Sequence, residues 1–415
     1  MSSRRGPISI DRVIAIRSSV LPLYLLIRPD GAVVTSDEVS EDGNDFLTTR
    51  MHGDQISFQS IRGHYLSAEG GEISTRRYCS ADERFVVERL DTQYAFRSRS
   101  GKYLSMLDRA PWVTLVPAPT ETEMFQLFSL MMYGVNVGKQ LDLLEKNGYV
   151  HIDNLIEESD LEVLRNDVTQ LGGRSPVGVH EARCTGLAAG SSAFSRLSVH
   201  PLVMQLAFRS FSPQLMLSDV ESCCTNADHV RKELESTTWH VIHPYSSAEF
   251  PGLVDAKASL TATWFLDTFT EANSTWAWVK APPTDGPHMP KLPHLSSPEE
   301  IEAVTKSATP LSALAGSLWL YTGAVWTSNN VGAASFWKDY DAQTRYKHLS
   351  GQKDATFRSL TDAQRSATSK EELCPVLLQA TYVREFILPR SPMHAQTAGL
   401  AESECLDLQR LKVSS

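Results

Sequence analysis

The side chains that could do metal or acid–base chemistry in this chain are histidines, cysteines and carboxylates, and few are spaced to act together. His240 and His243 stand three residues apart in Trp239-His240-Val241-Ile242-His243-Pro244-Tyr245. On a regular strand such positions face opposite sides, and only a bulge would reunite them. His288 and His294 lie among Pro282, Pro283, Pro287, Pro290 and Pro293 with no partner at ligand spacing. His229 follows the Cys223-Cys224 pair, but the spacing makes no closed zinc signature. The two adjacent cysteines read as buried or half-exposed thiols rather than a redox or metal pair. No Gly-x-Ser-x-Gly elbow, P-loop or dinucleotide fingerprint is present. Trp239, Trp264, Trp276, Trp278, Trp319 and Trp326 read as core or interface packing, although several in one pocket would hold a flat ligand.

These residues sit in a chain of 415, 42% hydrophobic and 21% charged, a length that suits two domains. The net charge of −10 argues against a general nucleic-acid binder, which needs a concentrated basic face. The longest apolar run, Val20 to Ile27, is broken by Pro22 and falls short of the ~18 residues that a membrane span needs. No small-residue cleavage site follows it, so no signal peptide is expected. Six cysteines are too few for a disulfide framework and are expected to be reduced, in a cytoplasmic protein.

The first domain is marked by repetition. Phe58-Gln59-Ser60-Ile61-Arg62-Gly63-His64-Tyr65-Leu66-Ser67 recurs 38 residues later as Phe96-Arg97-Ser98-Arg99-Ser100-Gly101-Lys102-Tyr103-Leu104-Ser105. Each copy leads to a second aromatic strand, Glu83-Arg84-Phe85 and Glu123-Met124-Phe125, and a weaker copy runs from Leu23 to Leu47. Short apolar runs separated by Gly, Asp and Ser read as strands and turns. Gly63 and Gly101 stand where a tight hairpin needs positive φ. Three such copies predict a threefold β-trefoil within residues 1–133. The Gly-Lys-Tyr-Leu-Ser turn and the Glu-x-Phe strand resemble the actin-crosslinking trefoils of the fascin family. That resemblance implies cytoskeletal filaments as partners, although fascin-like proteins crosslink with several trefoils and only one is present here. The domain holds 14 Arg and one Lys, with a balance of −2 that leaves −8 for the rest of the chain.

Residues 134–390 change character. Val137, Leu141 and Leu144 fall at helical spacing, and Gly148 to Ile152 reads as a strand. Ser159-Asp160-Leu161-Glu162 predicts a capping box, followed by a helical face of Leu161, Leu164, Val168 and Leu171 that Gly172-Gly173 ends. Strands are predicted over Leu260 to Asp267, within Leu314 to Tyr321, and over Val376 to Leu388. Residues 391–415 form a C-terminal tail.

This order resembles the phytanoyl-CoA dioxygenase family of iron(II)/2-oxoglutarate oxygenases. The resemblance rests on Asn147 to Ile152, Trp239 to Tyr245, Trp264-Phe265-Leu266-Asp267-Thr268-Phe269-Thr270-Glu271-Ala272-Asn273, and Gly316-Ser317-Leu318-Trp319-Leu320-Tyr321. It implies a double-stranded β-helix, or jelly roll, so the fold class expected for the whole chain is mainly β: a β-trefoil followed by a jelly roll with flanking helices. It also implies two histidines and a carboxylate on iron. His240 matches the first histidine, Ile242 stands at the carboxylate position, and Thr327 takes the place of the distal histidine. Some relatives carry a small residue at the carboxylate position and let chloride in, but Ile242 is large and apolar. No arginine directly precedes the last core strand to anchor 2-oxoglutarate, and Arg365 is the nearest upstream. Asp267 and Glu271 match a structural feature of the family.

With one ligand of three, the expectation is a catalytically inactive dioxygenase-like protein with no cofactor, no metal and no catalytic residue. It would serve as a structural or adaptor component with protein partners, in the cytoskeleton or a flagellum, and bind neither nucleic acid nor membrane. Two alternatives stand beside it. One is an enzyme, either an iron(II)/2-oxoglutarate dioxygenase or a cofactor-free catalyst using the same cavity with His240 as acid–base group. The other is a small-molecule-binding sensor.

Overall fold

The computed structural model describes residues 10–171, 182–185, 187–211, 215–224, 240–241, 259–269, 277–279, 309–323, 325–328 and 376–384. The chain forms two compact units. The first is Met1–Leu143 with Pro201–Pro213, and the second is Leu144–His200 with Gln214–Ser415.

The first unit opens with β1 (Val13–Ser18), β2 (Tyr24–Ile27), β3 (Val33–Ser36) and β4 (Leu47–His52). The second repeat supplies β5 (Gln55–Gln59), β6 (Tyr65–Ser67), β7 (Ser74–Arg76) and β8 (Phe85–Leu90), and the third β9 (Gln93–Arg97), β10 (Tyr103–Met106), β11 (Val113–Val116) and β12 (Phe125–Ser129). Antiparallel pairing runs β1–β4–β5–β8–β9–β12 and back to β1, which closes a six-stranded barrel. The hairpins β2–β3, β6–β7 and β10–β11 each hang from the first strand of their repeat. A closed ring with three equivalent hairpins is a β-trefoil, as the repeats predict.

The repeat exists because each copy supplies the same inward side chains. Leu25, Leu66 and Leu104 are buried at equivalent places, as are Leu47, Phe85 and Phe125. Phe58 meets Phe96 edge-on at 4.9 Å between ring centres, and Phe96 stacks on Phe125 at 5.7 Å. Such pairs add about 0.5–1.5 kcal/mol each beyond area burial. Gly63 and Gly101 both take φ of 83°, so the Ser60–His64 and Ser98–Lys102 turns close on main-chain hydrogen bonds.

The Glu of each Glu-x-Phe strand is buried and satisfied locally. Glu83 Oε1 accepts from Ser67 Oγ at 2.6 Å, and Oε2 from Ser80 N at 2.7 Å and Ser80 Oγ at 2.5 Å. Glu123 repeats the arrangement with Ser105 and with Thr120 N and Oγ1, all at 2.7 Å. In the weaker first copy Asp45 keeps a single such bond, from Ser40 N. Burial pushes the Glu83 carboxyl up, but its Ser67 and Ser80 hydrogen bonds outweigh this and hold it below the ordinary glutamate value.

After the barrel, β13 (Met131–Met132) and β14 (Val135–Asn136) form a hairpin whose turn residues Tyr133 and Gly134 both have positive φ. The boundary expected near Tyr133 falls on this turn, and the units divide further on, within α1 (Val137–Asn147).

The second unit continues through β15 (Tyr149–Ile152) into α2 (Glu158–Gln170). The expected capping box is displaced: Glu157 is the N-cap and makes no side-chain cap bond. Glu158 and Asp160 in the first turn serve the helix dipole instead. Leu161, Leu164 and Val168 are buried as predicted, whereas Leu171 ends the helix 38% exposed. Next come β16 (Ala182–Thr185), α3 (Leu187–Gly190), α4 (Ser192–Ser198), α5 (Pro201–Ser210) and β17 (Leu215–Cys224).

Helix α5 belongs to the first unit. Its Gln205 Nε2 donates to Asp42 O at 2.8 Å. Its Arg209 donates to Thr48 Oγ1 at 2.8 Å and to Gly43 O and Phe46 O at 2.9 Å. The helix thus closes the loop between β3 and β4.

The remaining strands are β18 (His240–Val241), β19 (Ser259–Phe265), β20 (Ala277–Val279), β21 (Thr309–Pro310), β22 (Leu318–Thr322), β23 (Trp326–Ser328) and β24 (Val376–Arg384). They make two antiparallel sheets, ordered β15-β22-β19-β24-β17-β16 and β18-β23-β20-β21. Together with the flanking helices they form the expected jelly-roll architecture.

Candidate functional site

Strand β19 is central in the larger sheet, and its residues are buried on both faces. Leu260, Ala262 and Trp264 point one way with Leu318, Leu320, Leu378, Ala380 and Tyr382, all buried. This face meets the helical layer: the Tyr382 hydroxyl donates to Ser198 O at 2.7 Å, and the His200 ring lies 5.0 Å from Trp264. Burial lowers the His200 pKa to about 4, so its ring is neutral at neutral pH.

The alternate residues form a polar inner face. Gln379 Nε2 donates to Thr263 Oγ1 at 3.2 Å and to the Tyr321 hydroxyl at 3.3 Å. Thr261 and Thr381 face each other at 3.4 Å. Trp319 stacks on Tyr321 at 4.3 Å, and both join Phe265, Leu377, the buried Cys223 and Val325, which leads into β23. Burial raises the Tyr321 pKa, so the phenol stays protonated while it accepts from Gln379. The sequence carries this face as polar residues alternating in Thr261-Ala262-Thr263 and Gln379-Ala380-Thr381. That signal is faint beside the histidines, and these residues were not among the candidates.

In the smaller sheet, His240 on β18 and Thr327 on β23 are direct register partners. Trp278 on β20 flanks Thr327 on its other side. Thr327 is fully buried, and its Oγ1 has no hydrogen-bond partner among the described residues. Two of the three positions aligned with the iron ligands are therefore adjacent. The third, Ile242, lies outside the described residues, as do Arg365, His229, His243, His288, His294, Trp239, Trp276 and Glu271.

Asp267 has a structural place: it accepts from Val376 N at 3.0 Å and pairs with Arg165 at 3.2 Å. Trp264 and Trp319 are core residues.

Iron(II) with 2-oxoglutarate is the group that the oxygenase resemblance implies, and the residues do not fit it. A threonine hydroxyl is neutral and a poor donor to iron, and an isoleucine has no lone pair to give. Among the described residues no cluster of three or more His, Cys, Asp or Glu could hold a metal ion. No helix among the described residues is long and apolar enough to cross a membrane.

No protein-family profile matches the chain, and no curated protein matches it. Solved structures do. The epimerase SnoN in complex with Fe3+, alpha-ketoglutarate and nogalamycin RO is 16% identical, covering 60% of this chain and 83% of that one at a TM-score of 0.37. HygX from Streptomyces hygroscopicus with nickel, 2-oxoglutarate and hygromycin B is 14% identical, covering 60% and 88% at 0.37. The carbocyclase SnoK from nogalamycin biosynthesis is 10% identical, covering 59% and 83% at 0.37. Scores and identities this low assign no activity to this chain.

Proposed function

We propose that the second unit is an oxygenase-like jelly roll that works by binding rather than by iron redox chemistry, and that the protein is a structural or adaptor component. The observation that carries this reading is Thr327, a buried neutral residue paired with His240 where the oxygenase pattern calls for a second histidine. Metal analysis of the purified protein, together with a 2-oxoglutarate turnover assay, tests it. The expected result is no stoichiometric iron and no succinate, and iron at one equivalent with succinate release would overturn it. For the trefoil, the fascin resemblance supports a filament partner and a cytoskeletal or flagellar place. Pelleting with actin filaments and with microtubules tests this, and absence from both pellets refutes it.

A second reading, an enzyme or sensor using the same interior, is favoured by two observations. The Thr327 hydroxyl is buried without a partner among the described residues, and the Gln379–Tyr321–Thr263 array lines the inner face. A bound small molecule would satisfy such groups. Succinate formation identifies the oxygenase version. A small molecule retained through purification without turnover identifies the sensor.

A further inference from the structure

The trefoil carries a cleft of about 520 Å³, bounded by the start of β1, the β8–β9 hairpin and β12. Its walls include two opposite charges, Asp11 and Arg89. Asp11 Oδ2 accepts from Ser129 Oγ and, at 3.4 Å, from Asn136 Nδ2, which orients the carboxylate. Its Oδ1 takes no hydrogen bond among the described residues. Arg89 donates Nε to Asp91 O at 2.8 Å and lies over the Tyr94 ring at 6.0 Å. Its two terminal nitrogens have no partner among the described residues. The two charges share one cleft, yet each is held by other neighbours and they form no ion pair with each other. The same cleft is lined by the half-buried Leu127 and Tyr94, which share the Ser129 side of the strands.

We infer that this cleft binds a small zwitterion with an apolar side chain, a free amino acid or dipeptide. An ammonium group would meet the open oxygen of Asp11, and a carboxylate would meet the guanidinium fork of Arg89, both as charge-assisted hydrogen bonds. The apolar side chain would lie on Leu127 and Tyr94. The volume is within the usual range of small-molecule sites, about 300–1,000 Å³. The inference is independent of what the jelly roll does.

The test is calorimetric titration of the full-length protein with Leu-Phe dipeptide, its N-acetylated form and its C-amidated form. Each cap removes one charge and should weaken binding about ten-fold. Arg89→Gln should abolish the penalty for amidation, and Asp11→Asn, which keeps an acceptor for Ser129, the penalty for acetylation. Free leucine and phenylalanine, titrated alongside, distinguish an amino-acid site from a dipeptide site. No binding of any of these at millimolar concentration overturns the inference, and so does equal binding of capped and uncapped forms. Should either variant fail to fold, the capped series on the unaltered protein decides alone.

Discussion

Thr327 shows at the scale of a single residue what separates a binding interior from a dry core. A buried hydroxyl with no partner costs about 1–3 kcal/mol. If nothing occupies the space beside it, Thr327→Val keeps the shape, removes that cost and raises stability by about 1 kcal/mol in chemical unfolding. A loss of stability instead would show that the hydroxyl has an occupant. His200 is the residue to follow with pH. Its pKa is about 4 in the fold against 6.5 in the unfolded chain, so the unfolded state takes up the proton first. Its contribution is intact above pH 6.5 and declines as the pH falls toward 4, by up to about 3 kcal/mol. His200→Phe should flatten the acid limb of a stability–pH curve over that window. His240 could be picked out from sequence because histidine is chemically conspicuous. Gln379, Tyr321 and Thr263 could not, since a polar residue on a strand gains a role only from the neighbours that pairing supplies.

Among the elements, helix α5 was the least legible. Leu202, Val203, Met204, Gln205, Leu206 and Ala207 are all buried, so the segment lacks the one-sided apolar stripe that marks a surface helix. Its partners in the β3–β4 loop lie more than 150 positions earlier in the chain. Arg209 is half-buried, and burial lowers its pKa to about 9, which leaves it charged at neutral pH. Arg209→Met would strand the carbonyls of Gly43 and Phe46 and the amide oxygen of Gln205. The expected cost is about 2–4 kcal/mol, with hydrogen exchange accelerated at residues 42–48. If those amides stay as protected as before, the helix does not hold the loop. By contrast, α1 and the buried face of α2 were readable from spacing alone, and only the start of α2 was misplaced. Its first turn uses the dipole charges of Glu158 and Asp160 in place of a side-chain cap.

For the whole molecule, the consequence is that the first unit is not one continuous stretch of sequence. The chain leaves the first unit within α1 and returns to it from Pro201 to Pro213. A fragment ending at Leu143 lacks Gln205 and Arg209. It is expected to unfold at lower urea than the same fragment fused through a flexible linker to residues 199–213. The gap should be about 2–4 kcal/mol in extrapolated stability. Equal midpoints would show that the returning helix adds nothing.

What the sequence determined by itself is the local and repeating part. The three copies, their Gly turns and their inward Leu and Phe positions specify a trefoil, because strand period and turn chemistry are encoded within each copy. The tertiary structure decided the rest. Cross-strand register set Thr327 beside His240, pairing of β19, β22 and β24 gathered Thr263, Tyr321 and Gln379 on one face, and α5 joined the first unit. The physical reason is that register and burial arise from contacts between residues far apart in the chain, whose free energy belongs to no single segment.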